Sequence, residues 1–109
     1  MGKYRIWLDD VRPLPENWNN STKCVWYKDA ESLIRDLKHI HKCFSLSDIE
    51  VISLDNDLGE GYMEGYKVLD WLEEIGADVP FDIHIHTSNP VARERMRAII
   101  ERNGWREVK

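Results

Sequence analysis

Short apolar runs alternate with longer amphipathic stretches along this chain. Four runs rich in β-branched and aromatic residues predict strands, over Tyr4–Leu8, Lys23–Tyr27, Ile49–Leu54 and residues 81–86. A fifth, short edge strand is predicted over residues 105–108. Because the first and third runs end abruptly in aspartate, polar chemistry is expected where these strands stop.

Three amphipathic stretches have the spacing of helices with one buried face. Capping residues mark their ends, since Asp and Asn side chains accept first-turn amides and Gly favours a C-terminal cap. The predicted helices are one that starts at Ala30 after Asp29, one over residues 66–75 before Gly76, and one from Pro90, after Asn89, to Gly104.

Strands that alternate with helices pair in parallel through crossover connections. The sequence therefore predicts a single α/β domain over residues 1–109 with a sheet of four or five strands. One connection departs from this pattern, because Pro13 and Pro15 exclude a regular helix within residues 11–21. We expect the first crossover helix to be missing or reduced, and this segment to be an extended crossing or a lid.

Charge and composition narrow the function classes. The formal net charge is −5, yet residues 90–109 hold six Lys or Arg against three Glu. An acidic body disfavours a broad footprint on duplex nucleic acid, whereas local arginines could hold the phosphate of a small ligand or an RNA end, or form a solvated helix face. The sequence shows neither a membrane span nor a secretory signal, so we expect a cytoplasmic protein without a membrane partner.

Carboxylates follow two of the predicted strands. Asp9 and Asp10 come after the first strand, and Asp55 comes after the third. The ligand crevice of an open parallel sheet lies beyond the carboxyl ends of its strands, so these groups would crowd together if the two strands are neighbours. A Mg²⁺ or Mn²⁺ ion would relieve their repulsion and keep waters that a phosphate could replace. The alternative is that they are solvated aspartates that cap loop amides.

A second polar segment follows the fourth strand. Thr87, Ser88 and Asn89 precede a helix whose N-terminal amides could bind a phosphate, and Arg93 lies one turn further on. An ordinary helix cap would account for the same residues.

Two histidines alternate along the fourth predicted strand and so share one face. His86 lies nearer the carboxyl end and is suited to general acid–base catalysis or to a structural role. His84 is expected to be structural.

Four segments carry a family resemblance. They are residues 8–13 (LDDVRP), 53–59 (SLDNDLG), 65–72 (GYKVL followed by Trp71 and Leu72) and 86–91 (HTSNPV). In these segments the sequence resembles the cyclic-phosphate processing receiver domains, a divergent branch of the response-regulator receiver superfamily. The match spans nearly the whole chain.

The resemblance implies a receiver-like, flavodoxin-like fold, in which a mainly parallel sheet forms the middle of a three-layer sandwich. It implies an acidic pocket of Asp9, Asp10 and Asp55, the last at the phosphoacceptor position of classical receivers, and activity on cyclic phosphates. One position departs from the family pattern. Asn56 stands where members usually have a histidine, and an asparagine can bind a ligand but cannot carry a proton.

These observations together predict a metal-dependent phosphoesterase that opens or hydrolyses a cyclic phosphate on an RNA end or a nucleotide. Asp9, Asp10 and Asp55 would hold Mg²⁺ or Mn²⁺, with His86 and Asp55 as the catalytic residues. The expected phosphate-binding residues are Arg12, Asn56, Thr87, Ser88, Asn89 and Arg93. Two other functions stay open, a non-enzymatic pseudo-receiver that binds a protein partner and a signalling receiver phosphorylated on Asp55.

Overall fold

Five parallel strands form one sheet in the order β2-β1-β3-β4-β5 in the computed structural model, which describes residues 3–18 and 23–109. The strands are β1 (Tyr4–Leu8), β2 (Lys23–Tyr27), β3 (Ile49–Leu54), β4 (Asp82–Ile85) and β5 (Glu107–Val108). β1 and β3 are central neighbours, so their carboxyl ends lie side by side. The parallel α/β sheet expected from the sequence is confirmed.

Within the described ranges, three α-helices connect these strands, α1 (Ala30–Cys43), α2 (Tyr66–Glu74) and α3 (Pro90–Asn103). The predicted cap of α1 is present, since Oδ2 of Asp29 accepts the amide of Ser32 at 2.8 Å. α2 ends one residue earlier than predicted, because Ile75 is its C-cap and Gly76 then adopts a φ of 65°. None of the helices in the described ranges has the length and hydropathy that a membrane-spanning segment needs.

The last two strands are shorter than predicted. β4 begins one residue after Phe81, whose ring is buried in the core at 2% exposure, and it stops before His86. β5 contains two residues instead of four, because the amide of Trp105 donates to the carbonyl of Ile100 at the end of α3 rather than to a strand. The first residues of the predicted fifth strand therefore belong to the turn that follows the C-terminal end of α3.

All three helices pack on one face of the sheet, where α2 lies between α1 and α3. The sheet residues of this core are those on one side of the pleat, among them Ile6, Leu8, Ile52, Leu54 and Ile83. Crossover connections are right-handed, so the β1–β2 connection, which runs the opposite way along the sheet, crosses the other face.

That second face has no crossover helix of its own in the described residues. The described part of the connection forms a 3₁₀ turn, Glu16–Trp18, and the ring of Trp18 packs edge-on against Trp7 of β1 at a centroid distance of 5.4 Å. Residues 19–21 of the predicted proline-broken segment lie outside the described residues. The first crossover is reduced, as expected, and the loop between β1 and β2 covers the second face of the sheet in place of a helix.

Candidate active site

The carboxyl ends of β1, β3 and β4 meet at one edge of the sheet. Backbone hydrogen bonds extend the register by one residue, from the amide of Asp55 to the carbonyl of Leu8 and from the amide of His86 to the carbonyl of Leu54, both at 3.0 Å. One ligand atom from each of Asp9, Asp55 and His86 lies within 4.8 Å of the others. We call these three residues the strand-end cluster.

Asp9 is fully buried, and both of its carboxylate oxygens have partners. Oδ1 accepts the amides of Val11 at 3.0 Å and Arg12 at 2.7 Å, which is the aspartate turn that starts the loop after β1. Oδ2 lies 3.0 Å from Nε2 of His86 and 3.8 Å from Nε of Arg12. One oxygen thus fixes the loop, and the other faces the cluster.

Asp55 is 8% exposed and lies against a second carboxylate. Its Oδ1 accepts the amide of Asn56 at 2.8 Å, and the hydroxyl of Thr87 donates to the same carboxylate. Burial raises the pKa of Asp55 and the charge of Asp9 raises it further, while these two hydrogen bonds and Arg12 oppose the shift. An ionised Asp55 is therefore costly in the protein without a cation.

The imidazole of His86 is held on three sides. Its side chain is 7% exposed, and its ring stacks on Trp7 with centroids 3.8 Å apart and planes 2° from parallel. Burial lowers the pKa of His86 to about 4, although the hydrogen bond and the charge of Asp9 act in the opposite direction. At neutral pH the ring is therefore uncharged, with one donor nitrogen and one acceptor nitrogen.

Sequence reasoning missed Ser53 and Trp7. Ser53 is fully buried, and its Oγ lies 2.7 Å from Nδ1 of His86 and 2.6 Å from Nδ1 of His84. The signal was a hydroxyl inside an otherwise apolar strand, two residues before Asp55 and so on the same side of the pleat. Register pairs Trp7 with Ser53 and Ser53 with His84, which places all three on the face without a crossover helix.

Asp10 and Asn56, both predicted site residues, lie outside the cluster. Asp10 is partly exposed, and its Oδ2 faces Gly59. Asn56 is fully buried, its Nδ2 donates to Oε2 of Glu64 at 2.9 Å, and its Oδ1 accepts the amide of Tyr66 at 3.1 Å. The side chain of Asn56 thus fixes the loop between β3 and α2.

The same loop returns to the end of β3 at Gly65. The amide of Gly65 donates to the carbonyl of Asn56 at 2.9 Å. A Cβ at this position would lie 1.8 Å from the carbonyl oxygen of Asp55, which is well inside van der Waals contact. Any residue with a Cβ would clash here, so close packing against the end of β3 explains the glycine at the start of the segment 65–72.

The start of α3 is closed by its own cap. Thr87 is fully buried and its Oγ1 accepts the amide of Asn89 at 3.2 Å, whereas Ser88 is exposed. Oxygens of Asn89 accept the first-turn amides at 3.0–3.2 Å, which are those of Val91, Ala92 and Arg93. An anion could bind these amides only by displacing Asn89, so the cap interpretation describes this helix end.

Two arginines bind the backbone beside the cluster. Nη1 of Arg12 donates to the carbonyl of His86 at 3.1 Å, and Nη2 of Arg93 donates to the carbonyl of Thr87. The side chain of Arg12 is 53% exposed and lies next to Asp9. Arg12 is therefore the cation best placed to reach a phosphate at the cluster.

The donor set of the strand-end cluster fits a divalent cation. Backbone amides hold one oxygen of Asp9 and one of Asp55, as outer contacts commonly do for carboxylate ligands. The two buried like charges repel, and a cation between them would remove that cost. Carboxylate oxygens and waters are the ligands that Mg²⁺ and Mn²⁺ prefer.

An all-parallel 2-1-3-4-5 sheet with carboxylates after β1 and β3 defines a receiver-like domain with an acidic crevice. The chain belongs to the family of the cyclic-phosphate processing receiver domain, whose family model matches residues 4–102. This match confirms the resemblance carried by the four sequence segments. A search of curated proteins and a search of solved structures each found no match.

Proposed function

We propose that this protein is a metal-dependent phosphoesterase that opens or hydrolyses a cyclic phosphate, on an RNA end or on a cyclic nucleotide. The observation that carries the proposal is the strand-end cluster, in which two buried carboxylates and a buried imidazole converge within 4.8 Å. The family description supports the cyclic phosphate as the substrate class.

In this proposal Asp9 and Asp55 hold a Mg²⁺ or Mn²⁺ ion, and Asp10 adds negative charge at the rim. When bound, the ion supplies Lewis-acid activation of the phosphoryl group and of water. Arg12, half exposed beside Asp9, binds the phosphate together with the exposed Ser88.

Ring opening needs two proton transfers. The oxygen of a water forms a new bond to phosphorus, and the bond from phosphorus to one ring oxygen breaks. Asp55 accepts the proton of the water, because its carboxylate is the second one that faces the cluster. His86 gives its Nε2 proton to the leaving oxygen, because Nε2 is the ring nitrogen that faces the cluster.

The remaining residues predicted to bind phosphate have a structural role in this proposal. Polar atoms of Asn56, Asn89 and Arg93 are bonded within the protein, and the hydroxyl of Thr87 donates to Asp55. These residues shape the crevice through the loops they fix. Direct contact with the phosphate is assigned to Arg12 and Ser88.

The test is turnover of 2′,3′-cyclic and 3′,5′-cyclic nucleotides with and without Mg²⁺ or Mn²⁺. We expect metal-dependent turnover that His86→Ala lowers by about 10²–10⁴-fold, the usual effect of losing a general acid–base group. His39→Ala is the matched control, since His39 is exposed on α1 and should leave the rate unchanged.

Absence of turnover, or an unchanged rate in His86→Ala, would contradict the proposal. Formation of an acyl phosphate on Asp55 with a small phosphodonor would instead favour the signalling receiver. A cytoplasmic location stays a prediction.

A further inference from the structure

A continuous line of three hydrogen bonds crosses the sheet beneath the strand-end cluster. Oδ2 of Asp9 lies 3.0 Å from Nε2 of His86, Nδ1 of His86 lies 2.7 Å from Oγ of Ser53, and the same Oγ lies 2.6 Å from Nδ1 of His84. We call these four residues the Asp9–His84 chain. It begins at the fully buried Asp9 and ends at the partly exposed His84.

The donors and acceptors of this chain admit one arrangement when Asp9 is ionised and both rings are neutral. A carboxylate only accepts, so Nε2 of His86 carries the proton and its Nδ1 is an acceptor. Ser53 has one hydroxyl proton and must donate it to His86. Its oxygen then accepts from His84, whose proton is therefore on Nδ1.

We infer that Ser53 and His84 are positioning residues for His86, and that with Asp9 they form one directional chain that keeps the Nε2 proton of His86 facing the crevice and keeps His86 neutral when that proton is transferred. The catalytic use of the chain rests on the proposed function. Its direction does not, because it follows from the hydrogen bonds of an ionised Asp9 and two neutral rings.

The proton transfers balance over one turnover. A neutral His86 that gave up its Nε2 proton alone would become an imidazolate. If Ser53 passes its hydroxyl proton to Nδ1 of His86, and His84 passes its Nδ1 proton to Ser53, both groups stay neutral. His84 takes one proton on Nε2 from a solvent water, which becomes hydroxide, and the chain now runs in the opposite direction. The proton that Asp55 took from the attacking water then returns to Nε2 of His86, the three transfers reverse, and the hydroxide regains its proton from His84.

The direction of the chain also separates two roles for His86. A ring nitrogen that carries a proton cannot ligate a metal ion. With the proton on Nε2, His86 is a proton donor beside the cation site, and the ligands of that site are carboxylates.

Nitrogen-15 NMR of the histidine side chains in the metal-free protein at about pH 8 tests the direction without any substrate. We expect His86 as the Nε2–H tautomer and His84 as the Nδ1–H tautomer. His39 and His41 are exposed and serve as internal references. The Nε2–H tautomer at His84 in the wild type would overturn the inference.

Asp9→Asn is expected to reverse the whole chain. The amides of Val11 and Arg12 bind Oδ1, so the side-chain oxygen of asparagine takes that position and its NH₂ group faces Nε2 of His86. Nε2 must then accept, and His86 becomes Nδ1–H. Ser53 next reverses, and His84 becomes Nε2–H although it does not touch residue 9. Asp55→Asn, which removes a charge outside the chain, is the control and should reverse neither ring.

Ser53 variants test the coupling and its use. Ser53→Ala should release His84 from its single tautomer, whereas Ser53→Thr, which keeps the hydroxyl, should retain it. If turnover is found, Ser53→Ala should lower kcat by about 10–100-fold, as loss of a group behind a catalytic residue commonly does, with KM little changed and Ser53→Thr active. An Asp9→Asn protein in which His84 keeps the wild-type tautomer would refute the coupling even if the protein proves to be an enzyme.

Discussion

Asp55→Asn should stabilise the metal-free protein, which is an unusual result for a residue at the centre of a site. The carboxylate of Asp55 is buried beside that of Asp9, with ligand atoms within 4.8 Å of each other. An asparagine has nearly the same shape. Its oxygen can accept the amide of Asn56, and its NH₂ group can donate to the hydroxyl of Thr87 or to Asp9, so the local hydrogen bonds have replacements.

The size of the effect follows from the repulsion removed. Two unit charges 4.8 Å apart interact by about 3.5 kcal/mol at an effective dielectric constant of about 20. Arg12 and the hydrogen bonds to Asp55 already offset part of this cost. We therefore expect a gain of about 1–2 kcal/mol in the free energy of unfolding, which corresponds to a rise in Tm of about 4–8 °C per kcal/mol for a domain of this size.

The gain should depend on pH in one direction. Because the pKa of Asp55 is raised in the folded state, the native protein holds that proton more tightly than the unfolded chain. The wild type therefore recovers stability relative to the variant as the pH falls through the folded pKa. The advantage of Asp55→Asn should be complete at neutral pH and absent below about pH 4, where the unfolded carboxyl also protonates.

Urea unfolding followed by tryptophan fluorescence measures the effect, with Asp78→Asn, an exposed charge removal, as the matched control. Saturating Mg²⁺ or Mn²⁺ should stabilise the wild type, by about 2.7 kcal/mol at 100 times the Kd, and should leave Asp55→Asn unchanged. The reasoning would be refuted if the variant were less stable than wild type without metal at pH 7, or if metal stabilised both equally.

Three further changes test the architecture around the site. Asp29→Ala removes the cap of α1 and should lower the free energy of unfolding by about 0.5–2 kcal/mol in urea melts. Ile52→Ala, at 1% exposure in β3, should cost about 2–5 kcal/mol by the same assay. Asn56→His should preserve or raise turnover of cyclic nucleotides, since a neutral imidazole also offers one donor for Glu64 and one acceptor for Tyr66.

The features that sequence predicted well are those that depend on neighbours along the chain. The caps at Asp29 and Asn89 follow from side chains two or three residues from the amides they accept. The proximity of Asp9 and Asp55 could be predicted from the positions of the strand ends and the parallel pairing of the strands. Each of these inferences uses local pattern plus one rule of topology, and the structure agrees with them.

Contacts between side chains on neighbouring strands could not be predicted from local pattern and topology. The role of Ser53 depends on the register that sets it opposite His84, and a single sequence does not fix the register. The polar side chain of Asn56 at a motif position predicts a phosphate contact, and the sequence does not show that the return of the loop at Gly65 encloses this side chain. Asn89 shows a third limit, because the residue types that cap a helix are also those that would line a phosphate site.

The reduced first crossover and the Asp9–His84 chain belong to one structural solution. A helix packed on the second face would require apolar side chains along the centre of the sheet, where this protein has Ser53 and His84. The loop over β1 instead places Trp18 against Trp7, and Trp7 covers the ring of His86. The buried hydroxyl is satisfied by two imidazoles, and no buried side-chain nitrogen or oxygen in the described residues lacks a partner. Loss of a helix therefore leaves room for a polar path that runs from the partly exposed face to the carboxylates of the crevice.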